Sequence, residues 1–320
     1  MRASWLWALL PLSLAGQSTL FTCMSSTKDY VVGAKLPMSG LFFRDSKGAW
    51  QHAGYNHPLT FGLDYDGPDI YLAAGNGLIR ASEHGQKWKL LTGSDVTELR
   101  DVTVDRNKPG AIYFAHSRGI RVSHDRGETW TEIAGGLHRK FTETIQVDRT
   151  RSGVLLAGGE EGIFRSEDGG GHWKPAGAPG FQISRIAQSP HEGCEWLATT
   201  QQGGLFGSQD CGKSFESFGR IGVGSNLYDV AFDPFDARRI AIVGWGPGVA
   251  ITDDHGKTWQ LRNAGLSAPH VISVAFDPNK AGRLYVSVND DAVYMSNDGG
   301  ANWTKDGLEG GVVTRMRFIP

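Results

Sequence analysis

The sequence predicts an all-β protein made of a four-stranded unit that is repeated seven times. Three observations lead to this prediction. A short motif with a hydroxyl residue, an aspartate, a glycine and an aromatic residue recurs at intervals of 38 to 44 residues. The 320 residues include 44 glycines, and the helix-forming runs that an α/β enzyme needs are missing. Each chain end carries part of a unit. Such units are typical of propeller blades, so we expect a seven-bladed β-propeller of four-stranded antiparallel blades.

The recurring motif marks each unit. Five good copies start at Ser123, Ser166, Ser208, Thr252 and Ser296, and two degenerate copies precede them. The aromatic positions are Trp50, Trp88, Trp130, Trp173, Phe215, Trp259 and Trp303. The other motif residues are Asp125, Gly127, Asp168, Gly170, Asp210, Gly212, Asp254, Gly256, Asp298 and Gly300. We predict a hairpin connection in which glycine supplies an unusual backbone angle, aspartate accepts N–H groups of its own turn, and the aromatic ring packs between sheets.

The strand pattern of one unit is clear in residues 102–133. An alternating apolar strand, a turn with proline and glycine, two further short strands, the motif and a last strand with Trp130 follow one another. We call these strands A to D, from the inside of the ring outwards. Residues 312–320 match strand A alone, and residues 29–50 match strands B onward. The C-terminal strand is therefore predicted to join the N-terminal blade and close the ring.

The N-terminus has the pattern of an export signal. Arg2 is followed by a ten-residue apolar run, too short to span a bilayer, and Ser13 and Ala15 suit a cleavage site. We expect residues 1–23 to form the signal and a short N-terminal segment, and residues 24–320 to form one propeller that is exported to the periplasm or the extracellular space. Two alternatives stay open: a lipid on Cys23, which would attach the protein to a membrane, and an uncleaved anchor.

The motif S-x-D-x-G-x-T-W resembles the Asp-box, or BNR repeat. The five good copies stand in register over nearly the whole chain, and the resemblance implies a seven-bladed β-propeller. Proteins with this repeat include photosystem II stability/assembly factors, sortilin-type receptors, xyloglucan-cleaving hydrolases with paired propellers, and sialidases. The FDP segments at Phe232 and Phe276, with DGG inside the boxes, are most similar to the first group.

Charge and motif chemistry exclude several functions. The formal net charge is -2, which does not favour a nucleic-acid partner. A calcium loop needs about six to eight oxygen ligands, but only one acid recurs in every good box, so we predict no metal and no cofactor. No helix and no GK[ST] follow the glycines, as a phosphate loop requires. Cys194 and Cys211 are predicted at the same rim of one blade, where a disulfide can form in an oxidising compartment.

The candidate binding residues come from equivalent positions of the inner strands. Alignment of these strands places seven residues around the central channel: Gly62, Asp101, Thr144, Arg185, Asp229, Ser273 and Arg315. One hypothesis is that the two acids and two arginines form ion pairs that hold the blades together. The other is a polar pocket for a peptide or a sugar, with Trp245 and Tyr228 as stacking surfaces. We expect the pocket on the rim opposite the Asp-boxes, where propellers usually bind ligands.

The function that these observations favour is that of an exported, monomeric, non-catalytic propeller that binds a protein or peptide, in the manner of an assembly or stability factor. A Ser/His/Asp order, an HExxH motif and metal-ligand spacing of cysteine and histidine are all missing. The alternative is a carbohydrate-active propeller, either a glycoside hydrolase or a lectin. A glycosidase needs paired carboxyl groups, and the acids on the expected rim are Glu143, Glu160, Glu161, Asp290 and Asp291.

Overall fold

The computed structural model describes residues 17–26, 38–57, 59–82, 85, 87–133, 135–137, 141–219 and 221–320. The predicted signal and its cleavage site at Ser13 and Ala15 lie outside these residues. Within the described ranges the regular secondary structure is β-strand, and no α-helix is found there. None of the elements in those ranges is a helix that could cross a membrane.

The strands form seven four-stranded antiparallel units, which we number blades I to VII. Blade I contains β1 (Thr19–Ser26), β2 (Gly40–Arg44) and β3 (Trp50–Asn56); blade II contains β4 (Thr60–Asp66), β5 (Asp69–Ala74), β6 (Gly77–Ser82) and β7 (Lys87–Leu90). Blade III contains β8 (Leu99–Asp105), β9 (Ala111–His116), β10 (Gly119–Ser123) and β11 (Thr131–Glu132); blade IV contains β12 (Thr142–Val147), β13 (Leu155–Gly159), β14 (Gly162–Ser166) and β15 (Lys174–Gly177). Blade V contains β16 (Ile183–Gln188), β17 (Trp196–Gly203), β18 (Leu205–Ser208) and β19 (Glu216–Ser217); blade VI contains β20 (Val223–Phe232), β21 (Ile240–Trp245), β22 (Gly248–Thr252) and β23 (Gln260–Leu261). Blade VII contains β24 (Val271–Phe276), β25 (Leu284–Val288), β26 (Val293–Ser296) and β27 (Thr304–Gly307), and β28 (Gly311–Ile319) returns to blade I.

Blade I is built from both ends of the chain. Its strand order is β28-β1-β2-β3, and the pairing of Thr19 with Ile319 starts an antiparallel ladder between β28 and β1. The C-terminal strand therefore lies beside the first described strand, as the sequence predicts. The position of strand B differs from the prediction: it is Thr19–Ser26 rather than the segment from Asp29, so the predicted domain boundary at residue 24 falls inside β1. Residues 27–37, which include the start of the predicted strand, lie outside the described residues.

Cys23 lies in the middle of β1, and its side chain is fully buried. Burial raises the pKa of its thiol to about 12. A lipidated cysteine is the first residue of a mature lipoprotein, but here residues 19–22 precede Cys23 and pair with β28. This placement argues against the lipid-anchored alternative, because cleavage before Cys23 would remove half of a core strand.

The core lies between the sheets rather than within one central cluster. Seven groups of buried apolar residues occur in the described chain, one between every two neighbouring blades, with blades VII and I included. Between blades III and IV, for example, Tyr113 packs with Phe164 and Trp173. Alternate residues of each strand face opposite neighbours, which explains why the strands are apolar on both sides.

The Asp-boxes form the predicted hairpins between strands C and D. In the box of blade III, the Ser123 hydroxyl donates to Asp125 Oδ1 at 2.7 Å and accepts the Gly127 N–H at 2.7 Å. Asp125 Oδ1 also accepts the Thr129 N–H at 2.9 Å. Gly127 has a φ of 91°, a conformation that favours glycine. The other four good boxes repeat these contacts.

The aromatic residue of the box also makes a hydrogen bond that the sequence did not predict. Trp173 Nε1 donates to the carbonyl of Ile133 in the preceding blade at 2.7 Å. Trp130 and Trp303 make the same bond to the blade before them, at 2.9 and 2.8 Å. Each of these indoles therefore links neighbouring blades through a directed polar contact as well as through apolar packing.

We expect the Asp-boxes to make folding stability sensitive to acid. The Thr258 hydroxyl and N–H, followed by the Thr252 hydroxyl, hold the pKa of Asp254 at about 2, below the usual 3.8. A lowered pKa in the folded state gives stabilisation that is complete above pH 3.8 and is lost as the pH falls through 2. Urea unfolding should therefore show Asp254→Asn less stable than wild type at pH 7, with the difference vanishing near pH 2. A difference that stays constant across this range would contradict the prediction.

Candidate functional site

The seven predicted ring positions are equivalent in the structure. In every blade the pairing of strand A with strand B shifts by one residue immediately before the ring position, which indicates a β-bulge there. The ring residues are Gly62, Asp101, Thr144, Arg185, Asp229, Ser273 and Arg315. The inner strands therefore present one residue each to the central channel at the same level.

The four charged ring residues form one ion-pair network. Arg185 Nη1 lies 3.1 Å from Asp101 Oδ2, and Arg185 Nε lies 3.7 Å from Asp229 Oδ1. Arg315 Nη2 lies 3.5 Å from Asp101 Oδ1, and Arg315 Nη1 lies 3.8 Å from Asp229 Oδ1. Asp101 in blade III is thus joined to blades I and V, neither of which is its neighbour. The four contacts join blades I, III, V and VI in a closed circuit around the axis.

The two aspartates occupy matched environments. Asp101 Oδ2 accepts the Thr144 hydroxyl at 2.9 Å and the Ile145 N–H at 3.2 Å. Asp229 Oδ2 accepts the Ser273 hydroxyl at 2.9 Å and, from the next residue, an N–H at 3.2 Å. Each carboxylate therefore binds the inner strand of the following blade. Burial, followed by the charge of Arg315, lowers the pKa of Arg185 to about 10, so the guanidinium stays charged at neutral pH. This geometry fits the hypothesis of ion pairs between blades.

Only four of the six predicted binding residues come together. Tyr228 lies at the bulge beside Asp229 and is half-buried. Trp245 is not part of the network; its ring stacks on His270 with a centroid distance of 3.9 Å and an interplanar angle of 5°. The predicted pocket that combines the charged ring with two aromatic surfaces is therefore not found among the described residues.

The Asp-boxes and the turns between strands A and B share one rim, which we call the Asp-box rim. In blade IV the Gly169 N–H of the box donates to the Gly153 carbonyl of the turn at 2.8 Å, and the other good boxes make the equivalent bond. In blade V a Cys194–Cys211 disulfide joins the same two loops, with a Cα–Cα distance of 3.7 Å. The structure therefore places the two cysteines of the predicted disulfide together. The opposite rim, with the B–C turns and D–A links, is called the loop rim.

Two adjoining cavities open at the axis on the Asp-box rim. One has a volume of about 310 Å³ and is lined by four arginines, Arg106, Arg149, Arg185 and Arg317, and by Asp64; we call it the basic cavity. The other, of about 320 Å³, we call the apolar cavity; its lining includes Pro190, Pro234, Pro278, Phe232, Phe276 and Phe318. Both cavities include Arg185, Ala187, Met316 and Arg317. The candidate pocket was predicted on the opposite rim, where propellers usually bind ligands, whereas these two cavities lie on the Asp-box rim.

The basic cavity carries more positive than negative charge. The buried carboxylate of Asp64 accepts Arg106 Nη2 at 2.6 Å and lies 3.1 Å from Arg317 Nη2. Burial opposes the ionisation of Asp64, but the charges of Arg317 and Arg106 hold its pKa below the usual range. The Arg149 guanidinium donates to oxygens of Gln188 and Ser189, and no carboxylate of the described chain forms an ion pair with it. Arg149 is therefore available to an anionic group.

The acids proposed for catalysis are engaged elsewhere. Glu143 Oε2 accepts Arg100 Nε at 3.1 Å, and burial raises the pKa of Glu143. Asp291 accepts Lys305 Nζ at 2.7 Å and the Tyr294 hydroxyl at 2.6 Å. Glu160 and Glu161 belong to the B–C turn of blade IV, and Asp290 to that of blade VII. In the ranges that the structure describes, no group of three or more histidine, cysteine, aspartate and glutamate side chains could hold a metal ion.

Comparisons with known proteins agree with the fold. The BNR/Asp-box repeat model matches residues 250–261. A probable oligoxyloglucan-reducing end-specific xyloglucanase from Neosartorya fischeri is 27% identical over 189 residues, which are 50% of this chain and 23% of that protein. Similar solved structures include the GH74 xyloglucanase from Xanthomonas campestris, with a TM-score of 0.69, 16% identity and coverage of 91% of this chain and 53% of the other. YCF48 bound to D1 peptide has a TM-score of 0.60, 17% identity and coverage of 78% and 82%. The chain thus spans less than a quarter of the curated relative and about half of the hydrolase.

Proposed function

We propose that this β-propeller with BNR/Asp-box repeats is an exported, non-catalytic binding protein that holds a protein or peptide segment at the axis of its Asp-box rim. The observation that carries the proposal is the direct junction of the basic cavity with the apolar cavity. A pocket of this kind suits a ligand that offers a carboxylate and an apolar side chain at neighbouring positions. Peptides offer both groups close together.

The basic cavity supplies recognition of the carboxylate. Guanidinium groups bind carboxylates through two parallel hydrogen bonds, which are stronger than those between neutral groups. Arg106 and Arg317 share the single carboxylate of Asp64, whereas Arg149 has only neutral oxygen acceptors. A ligand carboxylate would therefore reduce the excess positive charge of the cavity.

One of the comparisons supports a peptide ligand. The structure of YCF48 with D1 peptide is that of a propeller of similar size, since this chain covers 82% of it. The extracellular domain of a two-component system from B. thetaiotaomicron, with a TM-score of 0.60 and 16% identity, supports export. The export signal that the sequence predicts agrees with that proposal.

The test is binding to a peptide array in which acidic-apolar heptapeptides are paired with versions that carry amides in place of the carboxylates. We expect the wild-type protein to bind a subset of the acidic peptides, and Arg149→Ala to weaken this binding about tenfold or more, because the ligand carboxylate loses its guanidinium partner. Arg238→Ala is the matched control, since Arg238 lies on the same rim and its side chain is 71% exposed. Affinity that is unchanged in Arg149→Ala, or equal for acids and amides, would contradict the proposal.

The relative that acts on xyloglucan supports the alternative of a carbohydrate-active propeller. A screen with chromogenic glycosides separates the two functions. We expect no turnover with the purified full-length protein. Hydrolysis of any glycoside, lost on substitution of Glu143 or Asp291, would replace the non-catalytic proposal by a glycosidase.

A further inference from the structure

A row of paired residues crosses three blades on the loop rim. Gln201 at the end of β17 pairs with Asn226 of β20, and this pairing joins blades V and VI into one eight-stranded sheet. Asn226 pairs in turn with Trp245 of β21, and Trp245 forms an isolated bridge with His270. The Asn289 N–H of blade VII donates to the His270 carbonyl at 2.8 Å. The row continues from strand to strand without interruption.

The side chains of this row share one face. Residues directly opposite each other in antiparallel strands point to the same side of the sheet. Gln201, Asn226 and His270 are partly exposed, and Trp245 is 44% exposed. The four residues Gln201, Asn226, Trp245 and His270 therefore present two carboxamides, an indole and an imidazole side by side to solvent. Neighbouring strands are about 4.8 Å apart, so its members are evenly spaced.

Trp245 differs from its equivalents in the other blades. The corresponding residues of blades II, III, IV, V and VII are Gly75, Ser117, Glu160, Gln201 and Asn289. All of these are small or polar, so the blade architecture does not require an aromatic residue here. The indole is held in place, because it stacks on His270 and the following Gly246 N–H donates to the Pro269 carbonyl at 3.0 Å. A Cβ atom on Gly246 would meet no atom within 4 Å, so the approach beside the indole is open.

We propose that this row is a binding site for a neutral carbohydrate chain, with Trp245 as the stacking surface for one sugar ring. Sugar rings have apolar C–H faces that pack on aromatic rings, and their hydroxyl groups need donors and acceptors at the ring edge. Carboxamides provide both donors and acceptors without a charge. The row contains no Lys, Arg, Asp or Glu, unlike the basic cavity on the opposite rim. An acidic peptide would therefore find positively charged partners in the basic cavity and none in the row.

The site is tested by calorimetric titration of the full-length protein with cellohexaose and with a xyloglucan-derived oligosaccharide. We expect saturable binding of at least one of them, a loss of about tenfold or more in Trp245→Ala, and a smaller loss in Trp245→Phe, which retains a stacking ring. Leu261→Ala is the matched control. Leu261 is 63% exposed and lies on β23, the outer strand of the same blade, outside the row. Its affinity should equal that of the wild type.

Arg149→Ala separates this proposal from the peptide-binding function, because it should leave oligosaccharide binding unchanged. Circular dichroism and the melting temperature of Trp245→Ala should match the wild type, since the side chain lies outside the buried clusters. Absence of saturable binding to the wild type with both oligosaccharides, or equal affinity of Trp245→Ala, would overturn the proposal. Binding of aromatic peptides to the row, in place of both sugars, would overturn it as well.

Discussion

Replacement of Arg185 by methionine is expected to lower the free energy of unfolding by about 3 to 5 kcal/mol. The substitution leaves the carboxylates of Asp101 and Asp229 with Arg315 as their common guanidinium partner. Both carboxylates are buried, with side-chain exposures of 1% and 8%. Buried charges without adequate partners cost more than the broken ion pair itself contributed, because they have lost their hydration.

The measurement is urea unfolding at neutral pH. Arg238→Met is the control, because it removes a guanidinium from an exposed position on the Asp-box rim. The double variant Asp101→Asn/Arg185→Met should be less destabilised than the sum of its single variants, since each single change leaves a charge that the second removes. An Arg185→Met protein of wild-type stability that had lost its peptide ligand would show instead that this arginine serves ligand contact.

Removal of the disulfide has the second largest expected effect, a loss of about 3 kcal/mol in the free energy of unfolding. The bond closes a loop with a sequence separation of 17 residues, and the open chain gains conformational freedom when this loop is released. The Cys211 N–H should keep its hydrogen bond to the Cys194 carbonyl, because this backbone contact also occurs in blades without cysteines. The folded state is therefore expected to remain intact.

The double variant Cys194→Ser/Cys211→Ser and the reduced wild type should unfold at the same urea concentration, below that of the oxidised wild type. The reducing agent should leave the double variant unchanged, since its remaining thiol, Cys23, is buried and forms no disulfide. Equal midpoints for the oxidised and reduced wild type would contradict the prediction.

The repeats made most of the fold predictable. The hydroxyl, aspartate and glycine of each box lie within five residues of one another, so their hydrogen bonds depend on local sequence alone. The equivalence of Asp101, Arg185, Asp229 and Arg315 also followed from the repeat. The prediction for strand B of blade I was wrong. The segment from Asp29 has the sequence pattern of a strand B, but the strand that pairs with β28 is β1.

The candidate sites were less predictable. Nothing near Arg149 in the sequence shows that its neighbours in space are Gln188 and Ser189 rather than an acid. The basic character of the cavity depends on arginines from blades I, III, IV and V that meet at the axis. A sequence signal did exist for Trp245, since the equivalent positions in five other blades hold no aromatic residue. Its stacking partner, His270, lies in the link to the next blade and could not be chosen from spacing.

Sequence alone therefore predicted the number and order of the blades, the Asp-box hairpins, the pairing of Cys194 with Cys211 and the level of the charged ring. These features depend on contacts that recur within one repeat or between equivalent positions. Sheet packing sets which rim carries the axial cavities, which arginine has no acidic partner among the described residues, and which residues continue the row through Trp245. Those features depend on side chains from several blades, and their relative positions are set only when the sheets pack around the axis.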